Sequence, residues 1–387
     1  MRKSFILAIV FLSLAFGQAT IERYYGINND DVVYSMCSLD PEFTLAGYCE
    51  PLRYGGKDIM VFNIDESGHE NWMVIYGGPY DDIAYDIKRF IHRTYILCGT
   101  YDLHWDPTTS TFRSRAFAAM LNEVGDTFWT KKIDTSYINI FYSTAPTSGG
   151  FVFCGVSQMR YDESSMMHFG DFLIAKIDYM GNIVWQRSFG GTFLDVAKSV
   201  VQTSDSNLVI AGFTRSSSGG MKSDITAIKI SPSGSILWNR TYTDSIMHIE
   251  ATKVIETRDR NYIILGNAVE PRTGLKGIYI MKISPVGDVI WQNIIDFSGR
   301  ESAGYDVVEL SDGKLLVCGV LDPSSRSNAL IVMLSSIGTR GWYMTFGGPY
   351  TDIFYSIIVR DDGVIFASGV TESFGAGRFD AYFVRYH

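Results

Sequence analysis

No block of basic residues, no catalytic signature and no long apolar run beyond its first residues mark this 387-residue chain. Lys and Arg number 33 against 42 Asp and Glu, scattered along the chain, for a net charge of −9. Nucleic-acid binders carry a basic patch or stripe, so nucleic acid is set aside as a partner. Moderate acidity favours solubility and works against anionic polymers in general. Gly-x-Ser-x-Gly, His-Glu-x-x-His and glycine-rich phosphate loops are missing, which removes the best-marked hydrolase, metalloprotease and nucleotide-binding classes. No His-x-x-x-His spacing supports zinc. No cofactor is implied.

Cysteines are few, five in all. Cys98, Cys154 and Cys318 each precede a glycine (Gly99, Gly155, Gly319) in what reads as the same strand of different repeats. Ala46, Ala211, Leu265 and Ser368 take that place elsewhere. The slot wants a small or apolar residue, and a buried free thiol fits it. Cys37 and Cys49 would lie on one hairpin turning near Asp40-Pro41, with Cys37 facing about residue 44. Cys49 is then too far away for a bridge, which tolerates about 7 Å between Cα atoms. No structural disulfide is expected.

The one apolar run, Ser4 to Phe16, follows Met1-Arg2-Lys3 and ends at Ala15-Phe16-Gly17. A basic start, a short hydrophobic segment and a small-residue cut site read as a secretory leader over residues 1–17. The run falls short of the roughly 20 residues a membrane-spanning helix needs. The mature chain, 18–387, is expected to be secreted, periplasmic or extracellular, and monomeric, with no transmembrane segment.

What the chain does have is a repeat. Six of its seven tryptophans stand in a Gly-x-x-x-Trp frame: Gly68/Trp72, Gly125/Trp129, Gly181/Trp185, Gly234/Trp238, Gly287/Trp291 and Gly338/Trp342. Successive tryptophans are 57, 56, 53, 53 and 51 residues apart, a period of propeller-blade size. The clearest copy runs from Gly181 to Pro232: Phe189-Gly190-Gly191, then Asp195, then three β-rich runs, Val196–Val201, Leu208–Gly212 and Asp224–Ile230, separated by polar turns. With the tryptophan run this makes a four-stranded antiparallel unit. We letter the strands A to D from the centre outwards, with tryptophan on D.

Strand B ends in glycine seven times, at Gly47, Gly99, Gly155, Gly212, Gly266, Gly319 and Gly369, which predicts seven blades. The chain stops after the seventh C strand, Asp380 to Tyr386, and Ile21–Tyr25 precedes the first repeat aspartate as a D strand should. The fold class read from this is all-β, a seven-bladed β-propeller. The N-terminal strand pairs with the last C strand and closes the ring, hiding both edges.

The Phe-Gly-Gly…Asp, Ile-Ala-Gly-Phe-Thr, Asp…Lys-Ile…Gly-x-x-x-Trp string resembles the β-propeller repeats of many exported bacterial and archaeal proteins, among them the family sometimes called SBBP repeats. The resemblance covers essentially the whole mature chain; it implies the fold and leaves the ligand open. The Gly-x-x-x-Trp hairpin is also similar to quinoprotein propeller repeats, whose vicinal cysteines and eighth blade this chain lacks.

An aspartate before strand A recurs as Asp31, Asp82, Asp195, Asp306 and Asp352, with Asn139 in the third repeat and His248 or Glu250 in the fifth. A second aspartate opens strand C in four blades: Asp58, Asp171, Asp224 and Asp380. Both sets gather on the face that carries the D–A and B–C connections. Turn capping is the favoured reading. A calcium-holding ring at the channel mouth, needing about six to eight oxygen ligands, is possible chemistry but not favoured, because nothing spells a calcium loop. Tyr34, Tyr85, Tyr142 and Tyr355 fall three residues after the repeat Asp or Asn and read as inter-blade packing.

Function is expected where the repeat breaks. Two B–C connections are swollen, Thr100–Ala116 and Val156–Gly170, and lie side by side on the carboxylate face. The first holds Tyr101, His104, Trp105 and Arg113; the second holds Arg160, Tyr161, Asp162, Glu163, Met166, Met167 and His168. Long loops on a rigid scaffold concentrate binding residues, and exposed aromatics with Arg suit protein hot spots or stacking on sugars. The candidate ligand-binding residues are Tyr101, His104, Trp105, Arg160, Tyr161 and His168. The expected role is a non-catalytic scaffold binding an extracellular protein or glycan. The alternatives are a polysaccharide hydrolase or lyase using carboxylates of that face, and a structural cell-envelope component.

Overall fold

A computed structural model describes residues 12–15 and 18–387, apart from 27, 28, 52–54, 135 and 325. Seven antiparallel sheets stand around a central axis, each made of four consecutive strands except the last. Blade 1 is Asp31–Leu39, Glu42–Cys49, Asp58–Asp65 and Glu70–Tyr76. Blades 2 to 6 repeat the plan, starting at Asp81, Ile138, Asp195, His248 and Ser302. Blade 7 takes A, B and C from Asp352–Val359, Ile365–Thr371 and Asp380–Tyr386, and D from Gln18–Tyr25. That D strand pairs antiparallel with Asp380–Tyr386, from Thr20 opposite Tyr386 to Tyr25 opposite Ala381. The ring is thus closed by the N-terminal strand, as the missing seventh tryptophan strand required. The expected leader lies outside the described residues except for Leu12–Ala15, a short strand on the outer edge of Gln18–Tyr25.

The strand-B glycines answer a steric demand. In every blade the A strand bulges opposite this glycine, and a Cβ there would meet a strand-A carbonyl oxygen: Val32 O at 1.8 Å from Gly47, Ile140 O at 1.8 Å from Gly155, Ile353 O at 2.0 Å from Gly369. Only glycine permits that approach. The tryptophan frame is an inter-blade joint. Gly181 sits in the left-handed region (φ 85°), against the ring of Trp129 from the preceding blade. The indole N–H of Trp129 donates to Tyr179 O at 3.1 Å, and those of Trp185 and Trp238 donate to Pro232 O and Pro285 O.

The core is divided in the same way. Seven hydrophobic clusters each join two adjacent blades; one unites Ile263, Leu265 and Ile280 of blade 5 with Val307, Val317 and Leu330 of blade 6. All five cysteines are buried and free, and Cys37 lies opposite Thr44 while Cys49 lies opposite Asp31.

The bulged residue of each A strand is Tyr34, Tyr85, Tyr142, Lys198, Thr252, Tyr305 or Tyr355. The tyrosines pack blade to blade around the axis, with ring centroids 4.8–5.4 Å apart from Tyr305 through Tyr355, Tyr34 and Tyr85 to Tyr142. Lys198 Nζ continues the arc, 3.7 Å from the Tyr142 centroid.

One residue further along is a polar girdle. Ser356 accepts the Met36 N–H, Ser35 accepts Ile87 N–H, Asp86 accepts Thr144 N–H, Ser143 accepts Val200 N–H, Ser199 accepts Val254 N–H and Asp306 accepts Ile357 N–H. Each bond crosses from one blade to the next. Blade 5 offers Lys253, a donor only. Its ammonium pairs with Asp306 at 2.9 Å, and Asp306 itself accepts the Val307 N–H.

Asp306 is therefore a correction. It belongs to this girdle rather than to the strand-A entrance, where the register puts Ser302. Asp82, Asn139, Asp195 and Asp352 each follow the preceding blade's tryptophan by 10 residues, and Ser302 follows Trp291 by 11. Asp306 is 15 away. In the fifth blade the same slot falls on Ile249, between the two expected residues.

Candidate functional site

The entrance carboxylates cap turns. Asp195 Oδ2 accepts the Gly191 N–H at 2.6 Å and the Ser216 hydroxyl at 3.0 Å. Asp352 Oδ2 accepts the Gly348 N–H and the Ser373 hydroxyl, while its other oxygen takes Thr371. Asp82 accepts Gly78 N–H and Asp102 N–H, both at 2.7 Å. Asp31 is buried at the junction of blades 7 and 1, its own N–H donating to Phe379 O. Burial, with the charges of Asp102 and Asp58 nearby, pushes Asp82 up to about 6 despite those two hydrogen bonds. Among the described residues no three His, Cys, Asp or Glu side chains converge as a metal site.

The two swollen connections are not loops but extensions of the blade sheets into hairpins. In blade 2 the B and C strands run on as Tyr95–Asp106 and Thr111–Leu121; in blade 3, as Gly150–Asp162 and Met167–Ile177. The hairpins are built alike, 56 residues apart. Asp106 caps one turn through Thr108 N–H (2.9 Å) and hydroxyl (2.6 Å), and Asp162 caps the other through Ser164 N–H (3.0 Å) and hydroxyl (2.7 Å). A left-handed residue closes each turn, Ser110 and Met166. An aromatic pair crosses each hairpin just below the tip: Trp105 with Phe112 (5.2 Å, edge-on) and Tyr161 with His168 (4.9 Å). Each hairpin is footed on its own strand-A entrance residue, Asp82 through Asp102 N–H and Asn139 Oδ1 through Gln158 N–H at 3.2 Å.

A cleft of about 780 Å³ lies between the hairpins, with Trp105, Phe112, Arg160, Tyr161, His168 and Arg215 among the residues lining it. Trp105 and Tyr161 are 51% and 49% exposed. Leu194, Ile138 and Met159 also line it. Four of the six candidate residues, Trp105, Arg160, Tyr161 and His168, meet here. Partial burial, then the charge of Arg215, holds the His168 imidazole below its ordinary value, which favours its neutral form. The Arg160 guanidinium lies 4.9 Å from the Phe169 ring centroid and 5.1 Å from that of Tyr137. Arg215 is steadied by Ser223 at 3.1 Å and Glu250 at 3.8 Å.

The other two candidates are elsewhere. Side chains alternate across a strand, so His104 faces the opposite side of the hairpin from its neighbour Trp105. It stacks on Tyr80 at 4.1 Å in a second cleft of about 520 Å³ between blades 1 and 2, which Asp102, Arg113, Arg115 and Asp134 also line. Tyr101 lies below the bulge at Asp102, packed on Phe117 with Lys132 Nζ 3.1 Å above its ring. Phe112 and Arg215 belong to the main cleft and escape sequence reading. Phe112 is legible only as the cross-strand partner of Trp105, and Arg215 comes from the next blade.

No protein-family model matches the chain, and no curated protein matches it. Solved structures do. An ulvan lyase of polysaccharide lyase family PL25 superposes with a TM-score of 0.56 at 9% identity, over 93% of this chain and 95% of that one. The same type of lyase bound to a -[GlcA(1-4)Rha3S]- saccharide gives 0.55 at 9%, with the same coverage. The polysaccharide lyase Uly1 gives 0.51 at 10%, over 94% and 91%. At such identity the likeness establishes the propeller fold, over nearly the whole of each chain.

Proposed function

We propose that this protein is an exported, monomeric, non-catalytic propeller that binds a saccharide in the cleft between the blade-2 and blade-3 hairpins. The observation that carries the reading is the half-exposed aromatic face each hairpin contributes to one recess, Trp105 from the first and Tyr161 from the second. Aromatic faces in a recess of this volume suit a small ring-shaped ligand or one stretch of a chain. A protein partner would instead need roughly 800 Å² of surface on each side. Export is supported by the leader-like start and by the blade count. Six blades have four strands, so cleavage after Gly17 would remove the surplus strand Leu12–Ala15 and leave blade 7 with four. No helix among the described residues is long and apolar enough to cross a membrane.

One observation favours a catalytic reading of the same cleft, as a lyase: the His168 imidazole, its neutral form favoured by burial, stands beside the Tyr161 ring, a pairing suited to moving a proton. Two-carboxylate hydrolysis has less support, since Glu163 is the one carboxylate lining the cleft among the described residues and the entrance aspartates are engaged in turns. The test is retention of the purified protein on immobilised polysaccharides, with released product assayed in the same fractions. Trp105→Ala and Tyr161→Ala should each weaken retention about tenfold or more with unchanged melting. Failure to be retained by any polysaccharide sinks the reading; product release abolished by His168→Ala converts it to the catalytic one.

A further inference from the structure

We infer that the hairpin cleft selects saccharides bearing an anionic substituent, a carboxylate or a sulfate ester, with Arg160 as the group that receives it and Arg215 beside it. The inference rests on the saccharide reading and adds the ligand's charge to it.

The two arginines of the blade-2 hairpin are already paired. Arg113 pairs with Asp106 at 3.1 Å; Arg115 pairs with Asp102 at 3.0 Å and Asp134 at 3.5 Å. Arg160 makes no direct ion pair and no hydrogen bond among the described residues; its guanidinium lies over the Tyr137 and Phe169 rings, and the Asp171 carboxylate acts on it only through space. Those rings hold the planar guanidinium without occupying its N–H donors, which stay available in a fixed orientation. Carboxylate and sulfate oxygens match that fork, two acceptors to two parallel N–H groups. Because the ion is already oriented, little side-chain freedom is left to lose on binding.

Arg215 projects from the next blade into the same cleft, where its charge already acts on His168. Glu163 is an exposed rim residue and forms no ion pair with Arg160. The chain's net charge of −9 opposes an anionic ligand at a distance. Screening confines that repulsion to about 8 Å at physiological ionic strength, so the local cation decides once a sugar is in the cleft.

The protein is passed over dextran, which is neutral, polygalacturonate, which bears carboxylates, and dextran sulfate, at 0.05 M and 0.3 M salt. The expected result is stronger retention on one or both acidic polymers than on dextran, weakened by salt. Arg160→Gln should lose about tenfold of that retention, and Arg160→Lys should keep part of it. The polymer retained distinguishes carboxylate from sulfate. Since Arg160 also packs on two rings, the melting temperature of each variant is checked; the wild-type comparison of acidic with neutral polymer stands without any variant. Equal retention on dextran and the acidic polymers, indifferent to Arg160→Gln, overturns the inference and leaves the saccharide reading intact. Retention on none of the three overturns both.

Discussion

Two clefts flank the blade-2 hairpin, and they are made of nearly the same residue types. Each holds an aromatic ring, a histidine and two arginines. In the cleft between blades 1 and 2 the arginines are answered by Asp102, Asp106 and Asp134, and His104 is stacked on Tyr80 and held at Nδ1 by Asp102 O at 2.7 Å. That side is satisfied by its own chain. In the cleft between blades 2 and 3, Arg160 is in no direct ion pair or hydrogen bond among the described residues, and Trp105 and Tyr161 stand half exposed. The difference separates residues that hold a hairpin up from residues left over for something else.

The harshest way to break the comparison is to remove one wall. Gly155→Ala would place a Cβ 1.8 Å from Ile140 O at the root of the blade-3 hairpin. With backbone on both sides, nothing flexible can yield. A loss of at least about 1–3 kcal/mol of stability is expected, read by denaturant unfolding, together with loss of saccharide retention. A variant as stable as the parent would mean that the A-strand bulge is adjustable.

A gentler change would make the satisfied cleft resemble the open one. Asp134→Asn removes the second partner of Arg115, both groups being largely exposed. Such a pair contributes at most about 1 kcal/mol, so the melting temperature should scarcely move. In an Arg160→Gln background, retention on acidic polymer should recover by a factor on the order of two. No recovery would show that charge alone does not make a cleft.

The smallest effect concerns how the hairpins are footed. Asp82 anchors one and titrates; Asn139 anchors the other and does not. Because burial raises the folded-state value of Asp82 to about 6, above the ordinary 3.8, folding favours its protonated form. The stability linked to Asp82 is then fully present below about pH 3.8 and is lost as pH rises through about 6. Asp82→Asn should flatten the melting profile between about pH 4 and pH 6.5, the interval spanned by the ordinary and raised values. The variant also leaves Gly78 N–H without its acceptor, so the slope, not the absolute melting temperature, is the quantity to compare. An unaltered slope would place the titration elsewhere.

Residues that every blade must repeat were readable along the chain. The strand-B glycines recur in all seven blades, and the Gly-x-x-x-Trp joint, the turn-capping aspartates and the tyrosine arc in most of them, so each leaves a periodic mark. Asp306 shows how that reading goes astray. It shares their residue type but lies 15 residues from Trp291; the spacing selects Ser302 and predicts Tyr305 as a further channel tyrosine. The girdle of Ser35, Asp86, Ser143, Ser199, Asp306 and Ser356 went unread because serine and aspartate are common in turns, and only the inter-blade N–H groups show what they share.

By itself the sequence determined the number of blades, the strand that closes the ring and the pair of connections that depart from the pattern. These follow from local rules repeated seven times, in which each blade specifies its contact with the next. The tertiary structure alone decided which of six candidate residues meet. The alternation of side chains along a hairpin sends Trp105 and His104 into different clefts, and a bulge drops Tyr101 below both. Arg215 arrives from a blade further on, across a distance that no spacing along the chain encodes.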